Sequence, residues 1–330
     1  MPRPSVKQRW RSARTRAWVY QGVLLLALVL LAWWLVSNTA ANMKARGIQS
    51  GFDFLTQSAG FDIGESLIAF DASQPFWRAF LVGALNTVRV ALVGILLTTL
   101  LGTALGVGRL SSNALVRGLC AMYVEVFRNI PLLLQLLLWY LLLTEMLPEV
   151  SLAWHFSVGV GEVYLSKGGL SFPIWQDGAW SVPEPGAFAM EGGGSLTPEF
   201  LALLAGLTLY TAAFVAEVVR SGLQAVPRGQ TEAGLALGLS RAQLLRHITL
   251  PQSLRVIVPP MTNQFLNLTK NSSLAVAIGY PDVVSIANTS LNQTGRALEC
   301  ITVIMAVYLC TSLLTAWLMS HLNRRALRSG

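Results

Sequence analysis

The sequence predicts an all-α protein that crosses a membrane several times. Three observations carry this. Of the 330 residues, 53% are hydrophobic and 12% charged, with a mean hydropathy of +0.54, where soluble domains carry about 25% charged residues. Several apolar runs reach the roughly 20 residues that a helix needs to cross hydrocarbon. The basic residues gather beside those runs. Despite a net charge of +8, that is the distribution of membrane-flanking loops and not of a nucleic-acid surface.

The elements follow in chain order. Residues 1–17 form a basic tail with Arg3, Lys7, Arg9, Arg11, Arg14 and Arg16 and no acid. The uncharged run 18–36 then opens a first span, 18–37. A cleaved signal peptide competes for this segment, but its apolar core is roughly 7–15 residues. Residues 38–78 mix Gly, Phe and Asp and suit an outer segment with a surface-lying helix. Five further spans fall at about 79–107, 119–146, 200–223, 256–279 and 297–319, and a short tail occupies 320–330. Residues 147–198 are rich in Pro and Gly, with Trp154, Trp175 and Trp180, and read as an irregular outer insert with interfacial aromatics.

Lys and Arg orient the bundle. With the N-terminus inside, sixteen lie in inner segments and five in outer ones. That bias puts both termini in the cytoplasm.

Polar groups inside spans call for a reason. Glu125 and Arg128, and Glu217 and Arg220, stand at i, i+3 near inner helix ends, a spacing that lets each pair neutralise itself. Arg89, in mid span two, reads as a packing residue. In span five, Asn263, Asn267, Lys270 and Asn271 share one helix face, with Ser272 beside them. Such a stripe does not suit lipid. It faces other helices as hydrogen-bonding glue, or it lines a wet path of roughly two turns, about 12 Å. Pro259 and Pro260 are expected to kink or delay that span.

Catalytic and metal signatures are missing. There is no GxxxxGK[ST] loop, HExxH or GxSxG. Cys120, Cys300 and Cys310 stand at no ligand spacing. The chain reads as a transporter subunit, not an enzyme. An ion-coupled carrier and a membrane scaffold stay open at this point.

The most informative segment is 232–251, EAGLALGLSRAQLLRHITLP. It is compact, basic and semi-polar between long apolar runs. It reads as a short helix, a Gly-Leu-Ser turn, a second short helix and a terminating Pro251. An amphipathic helix on the inner leaflet is the competing reading.

The segment resembles the coupling segment of bacterial ABC-importer permeases, written EAA, three residues, G, nine residues, I, one residue, LP. Glu232, Ala233, Gly238, Ile248, Leu250 and Pro251 match, and Gly234 replaces the second Ala. Residues 83–111, 123–136, 210–234 and 270–280 are similar to permeases of the polar amino-acid uptake branch. Residues 59–70, AGFDIGESLIAF, are similar to general L-amino-acid permeases.

The resemblance implies a type I importer transmembrane domain over 79–319, with a five-helix core, one extra N-terminal helix and a coupling segment within 225–255. It implies a bacterial inner-membrane location. Implied partners are a second, related permease, a cytoplasmic ATPase dimer that holds ATP and Mg, and a periplasmic binding protein that delivers an L-amino acid. This chain itself would bind no cofactor. Glu232, Ala233, Gly234, Ser240 and Ile248 would form the coupling plug, with Gly238 at its turn and Leu235, Leu239, Leu244 and Leu245 filling the ATPase socket.

Overall fold

The computed structural model describes residues 13–45, 47, 50–176, 178–186 and 189–328. Most of the basic tail lies outside them. Among the described residues, four helices are long and apolar enough to cross a membrane, and two further spans are bent pairs. The first is α1 (Ala13–Ala45), which begins inside the expected tail and buries no residue of its apolar window.

The second, α2 (Phe76–Gly108), is the spine of the bundle. It approaches α5 (Pro198–Gln224) through Gly102 and Gly106. A Cβ on Gly102 would stand 2.5 Å from Val215 Cγ1, and one on Gly106 would stand 2.7 Å from the Ala216 carbonyl. Small residues four apart allow this close backbone approach, which supplies packing where no hydrophobic drive exists.

The expected continuous span 119–146 is two helices, α3 (Ala114–Asn129) and α4 (Leu132–Leu141), meeting at 103°. The cause is local. Pro131 forces the preceding Ile130 into extended backbone, at φ −96° and ψ 127°. Gln135 Nε2 then donates to the freed carbonyls of Phe127 and Ile130, both at 2.9 Å. A π turn, Leu142–Met146, ends the pair.

Residues 154–196 are not irregular. A four-stranded antiparallel sheet forms from β1 (Trp154–Ser157), β2 (Glu162–Ser166), β3 (Gly169–Phe172) and β8 (Gly194–Leu196), in that order. Two hairpins lie between β3 and β8: β4 (Ile174–Gln176) with β5 (Ala179–Ser181), and β6 (Glu184–Pro185) with β7 (Met190–Glu191). Of the prolines and glycines that gave the irregular reading, Pro173, Pro183, Gly186, Gly192 and Gly193 lie between the short strands, while Pro185 and Gly194 stand inside β6 and β8.

After α5 come two short helices, α6 (Arg228–Ala236) and α7 (Arg241–Leu244), and then the π turn Leu245–Thr249. The long α8 (Leu250–Asn271) follows directly. Pro251 therefore does not stop the helix. It occupies the first turn of α8, where a missing amide costs nothing. Pro259 and Pro260 do not delay the span either, since α8 is assigned unbroken through both. A 3-10 turn, Ser272–Ile278, closes on Gly279 at φ +78°. A 49° bend leads into α9 (Val283–Thr294), capped by Asp282, which accepts from the Ser285 amide at 2.8 Å. The last helix, α10 (Ala297–Arg328), runs past the expected boundary at 319.

One core cluster joins Leu136, Leu203, Leu207, Leu268 and Tyr280 across α4, α5, α8 and the bend. A second seats the segment around Phe54 on α2, α9 and α10. There Arg296 pairs with Asp53 and donates to the Gly51 carbonyl, and Glu299 accepts from the Gly51 amide at 2.6 Å. The Arg296 guanidinium holds the Asp53 carboxyl below its ordinary 3.8.

Candidate functional site

Segment 232–251 folds as a knob with its own internal structure. Helix α6 ends in a Schellman turn. The Leu239 amide donates to the Gly234 carbonyl at 3.1 Å, and the Gly238 amide to the Leu235 carbonyl at 3.0 Å. That pattern needs left-handed backbone at Gly238, which has φ +80°. Ser240 then starts α7 with a capping box. Its Oγ accepts from the Gln243 amide at 3.3 Å, and its own amide donates to Gln243 Oε1 at 2.9 Å.

The leucines divide into two roles. Leu244 is buried within the knob, so it holds the two short helices together instead of offering itself to a socket. A Cβ on buried Gly234 would meet Leu244 Cδ1 at 2.9 Å and Ile248 Cδ1 at 3.1 Å. The departure from Ala at this position therefore matches a close helix approach. Leu239 is half-buried, Leu235, Leu245 and Leu250 are exposed, and Glu232, Ala233 and Ser240 share that exposure. The largest exposed leucine surface on the knob is Leu237, 82% exposed beside the turn. Sequence reasoning named Leu235, Leu239, Leu244 and Leu245 for the socket and passed over it.

On α8 the polar stripe is a real face. Val256, Pro259, Pro260, Asn263, Asn267 and Lys270 are exposed in steps of three and four along the helix. Asn271 is half-buried at the edge of that face. Ser272 does not share it, being buried with its hydroxyl donating to the Thr269 carbonyl at 2.7 Å.

Of the two inner-end pairs, Glu217 with Arg220 forms, and Glu217 also binds Arg109 from the end of α2. That triad ties α2 to α5. Glu125 and Arg128 form no ion pair with each other among the described residues. Arg128, in the last turn of α3, turns to α5 and lies 5.1 Å from the centre of the Phe214 ring. Glu125 stays exposed.

A polar cluster at the opposite end of the bundle was not foreseen. Arg89 lies 4.2 Å over the Phe200 ring and pairs with Glu65, which is almost fully buried. The Glu65 carboxylate also accepts from Thr197 Oγ1, the N-cap of α5. Asn86 Nδ2 donates to the carbonyls of Glu65 and Pro281 at 2.8 and 2.9 Å. These contacts fasten segment 57–75 to α2, α5 and α9 beside a cavity of about 420 Å3. The available signal was Glu65, one of two acids in the outer stretch 59–70, paired with an arginine 24 residues later. Arg89 itself packs, as its sequence context suggested.

Residues 94–328 match the family of binding-protein-dependent transport system inner membrane components. The general L-amino acid transport system permease protein AapQ of Rhizobium johnstonii is 39% identical over 371 residues, covering 94% of this chain and 92% of that protein. The glutamate/aspartate import permease protein GltJ of Escherichia coli K12 is 33% identical over 252 residues, covering 76% of this chain and 86% of that one. A crystal structure of an amino acid ABC transporter with histidines superposes with a TM-score of 0.56 at 26% identity, over 76% of this chain and 95% of that one. The helical core is accordingly a type I ABC importer transmembrane domain. The chain belongs to the binding-protein-dependent transport system inner membrane components, as a permease subunit of an ABC importer.

Proposed function

We propose that this permease moves L-amino acids from periplasm to cytoplasm across a bacterial inner membrane, driven by an ATPase that grips residues 232–251. One observation carries the reading. The segment is a pre-folded knob, capped at both short helices, that leaves Leu235, Leu237 and Leu245 uncovered. Exposed leucines on a rigid helical knob suit a hydrophobic cleft on a partner. The amino-acid specificity is supported by relatives named for general L-amino acids and for glutamate and aspartate.

In this reading a second, related permease faces the stripe on α8, and the two enclose the path. Asn263, Asn267 and Lys270 line it, with Asn271 at its edge, and the Lys270 ammonium meets a substrate carboxylate. A periplasmic binding protein delivers the substrate. ATP and Mg belong to the ATPase dimer. The charge bias of the loops supports cytoplasmic termini. Binding protein and ATP must each favour one of two bundle states, or nothing is coupled.

Reconstituted with its partners, the complex is expected to hydrolyse ATP in response to loaded binding protein. A purified assembly without an ATPase, or uptake that survives ATP depletion while an ion gradient is held, overturns the reading. Lys270→Ala is expected to lower uptake with assembly intact, and unchanged uptake removes Lys270 from the path.

A further inference from the structure

The four-stranded sheet is amphipathic, and its register shows which way it faces. Trp154 stands opposite Leu165, Leu165 opposite Leu170, and Leu170 opposite Leu196. Directly opposed residues share a face, so one apolar row crosses the whole sheet. Alternation adds Phe156, Val163 and Phe172 to the same side. His155, Glu162, Tyr164, Ser171 and Ser195 take the other.

The row is anchored at one end. Leu196 packs on the core cluster of the helical bundle, at the start of α5. Moving outward, Leu170 and Leu165 are half-buried, and Trp154 and Phe156 are 54% and 58% exposed. The sheet therefore leaves the bundle with its apolar side increasingly uncovered.

Helix α4 exposes Leu134, Leu138 and Leu141, a stripe along one helix side. Between α4 and Trp154 the chain carries two further exposed apolar residues, Met146 and Leu152. In a membrane-spanning bundle such a stripe faces acyl chains. Along the chain the exposed apolar residues then change from leucine to tryptophan and phenylalanine. Trp with mixed apolar neighbours at a helix end marks the level of lipid headgroups. The second aromatic pair, Trp175 and Trp180 on hairpin β4–β5, is also exposed, with ring centres 5.5 Å apart.

We propose that the apolar face of the β1–β2–β3–β8 sheet lies on the bilayer surface at the start of α5, with Trp154 and Phe156 entering the headgroup–acyl boundary. The occupant is lipid. The edge strand β1 tolerates this position because hydrated headgroups satisfy its free backbone groups, which the hydrocarbon interior would not. The insert then steadies the bundle against the leaflet on the side away from the coupling knob. That sidedness rests on the orientation proposed above, whereas contact with lipid does not.

Depth measurement tests it. Cys120, Cys300 and Cys310 are replaced by serine or alanine in the full chain, and nitroxide labels are placed singly at 154, 155, 156 and 164. The complete transporter is reconstituted in bilayers, and only labelled proteins that retain uptake are measured. Labels at 154 and 156 are expected to show an oxygen-to-nickel-chelate accessibility ratio several-fold above labels at 155 and 164. Water-like ratios at all four positions overturn the proposal. Exclusion of both reagents at 154 and 156 also overturns it and assigns the face to a protein partner. As a label-free check, bromine-substituted lipid is expected to quench the emission of Trp154→Phe less than that of wild type. Equal quenching counts against lipid contact.

Discussion

The turn at Gly238 gives the sharpest test of the knob. Its φ of +80° lies in the left-handed region, yet a Cβ built there would meet nothing within 4 Å. Any cost of substitution inside the free chain is therefore backbone strain, not a clash. An L-residue in that region costs roughly 1–2 kcal/mol, and asparagine much less. Strain of that size lowers the ratio of bent to unbent knob about 5–30-fold. The apparent affinity for the ATPase falls by up to that factor when only the bent form docks, the full factor applying once the unbent form dominates. Titrating detergent-solubilised permease complexes with the ATPase should place Gly238→Ala within that range and Gly238→Asn close to wild type. The order is the decisive readout. Asparagine is the larger side chain, so a weaker Gly238→Asn than Gly238→Ala would mean occlusion inside the socket and refute the strain account. Wild-type affinity for Gly238→Ala would show that the Schellman turn is not needed for docking.

Leu237→Ser is expected to weaken ATPase docking by about 1.5–3 kcal/mol, the burial value of one leucine, without changing the melting temperature of the permease. Leu244→Ala should instead cost about 2–5 kcal/mol of local stability through a cavity inside the knob, seen as faster hydrogen exchange across 232–251. Glu65→Ala leaves the Arg89 guanidinium poorly compensated and is expected to destabilise by about 3 kcal/mol, while the double Glu65→Leu, Arg89→Leu variant recovers most of that in thermal unfolding. Asp53 has a lowered carboxyl pKa, so its link to Arg296 is fully present above pH 3.8 and fades as pH falls through the lower folded value. Protection of residues 50–56 in hydrogen exchange should hold at pH 5 and weaken only in stronger acid.

The bundle was legible where one residue type enforces one geometry. Gly238 marked the turn, the stripe around Asn267 marked an open face of α8, and the spacing of Glu217 to Arg220 marked a pair. What stayed hidden depended on partners distant in sequence. Glu125 and Arg128 have the same spacing as the pair that forms, but the ring of Phe214 captures Arg128 instead. Glu217 needed Arg109, 108 residues away, to become a triad. Pro131 was passed over inside one continuous span, 119–146, and the 103° break also needed Gln135 to cap the broken end. The strands of the insert are two to five residues long, too short for alternation to stand out among prolines and glycines.

One element, α8, joins the knob to the polar stripe. Helix α8 begins at Leu250, directly after the π turn Leu245–Thr249, and is assigned without a break to Asn271. Lys270 therefore stands about 30 Å along the helix from the knob at 1.5 Å per residue. Over such a length, a hinge at Pro259 or Pro260 would absorb a tilt before it reached Asn267. Both prolines instead sit on the exposed stripe. The carbonyls they leave without a helical amide belong to Arg255 and Val256, and Val256 is itself exposed, so a loosened turn there can find other partners. The wide turn lies at the base of α8, at Leu245–Thr249, and turns of this kind are seldom kept in a helix without a use. In the function proposed above, α8 is the element that would carry displacement from the knob to the stripe.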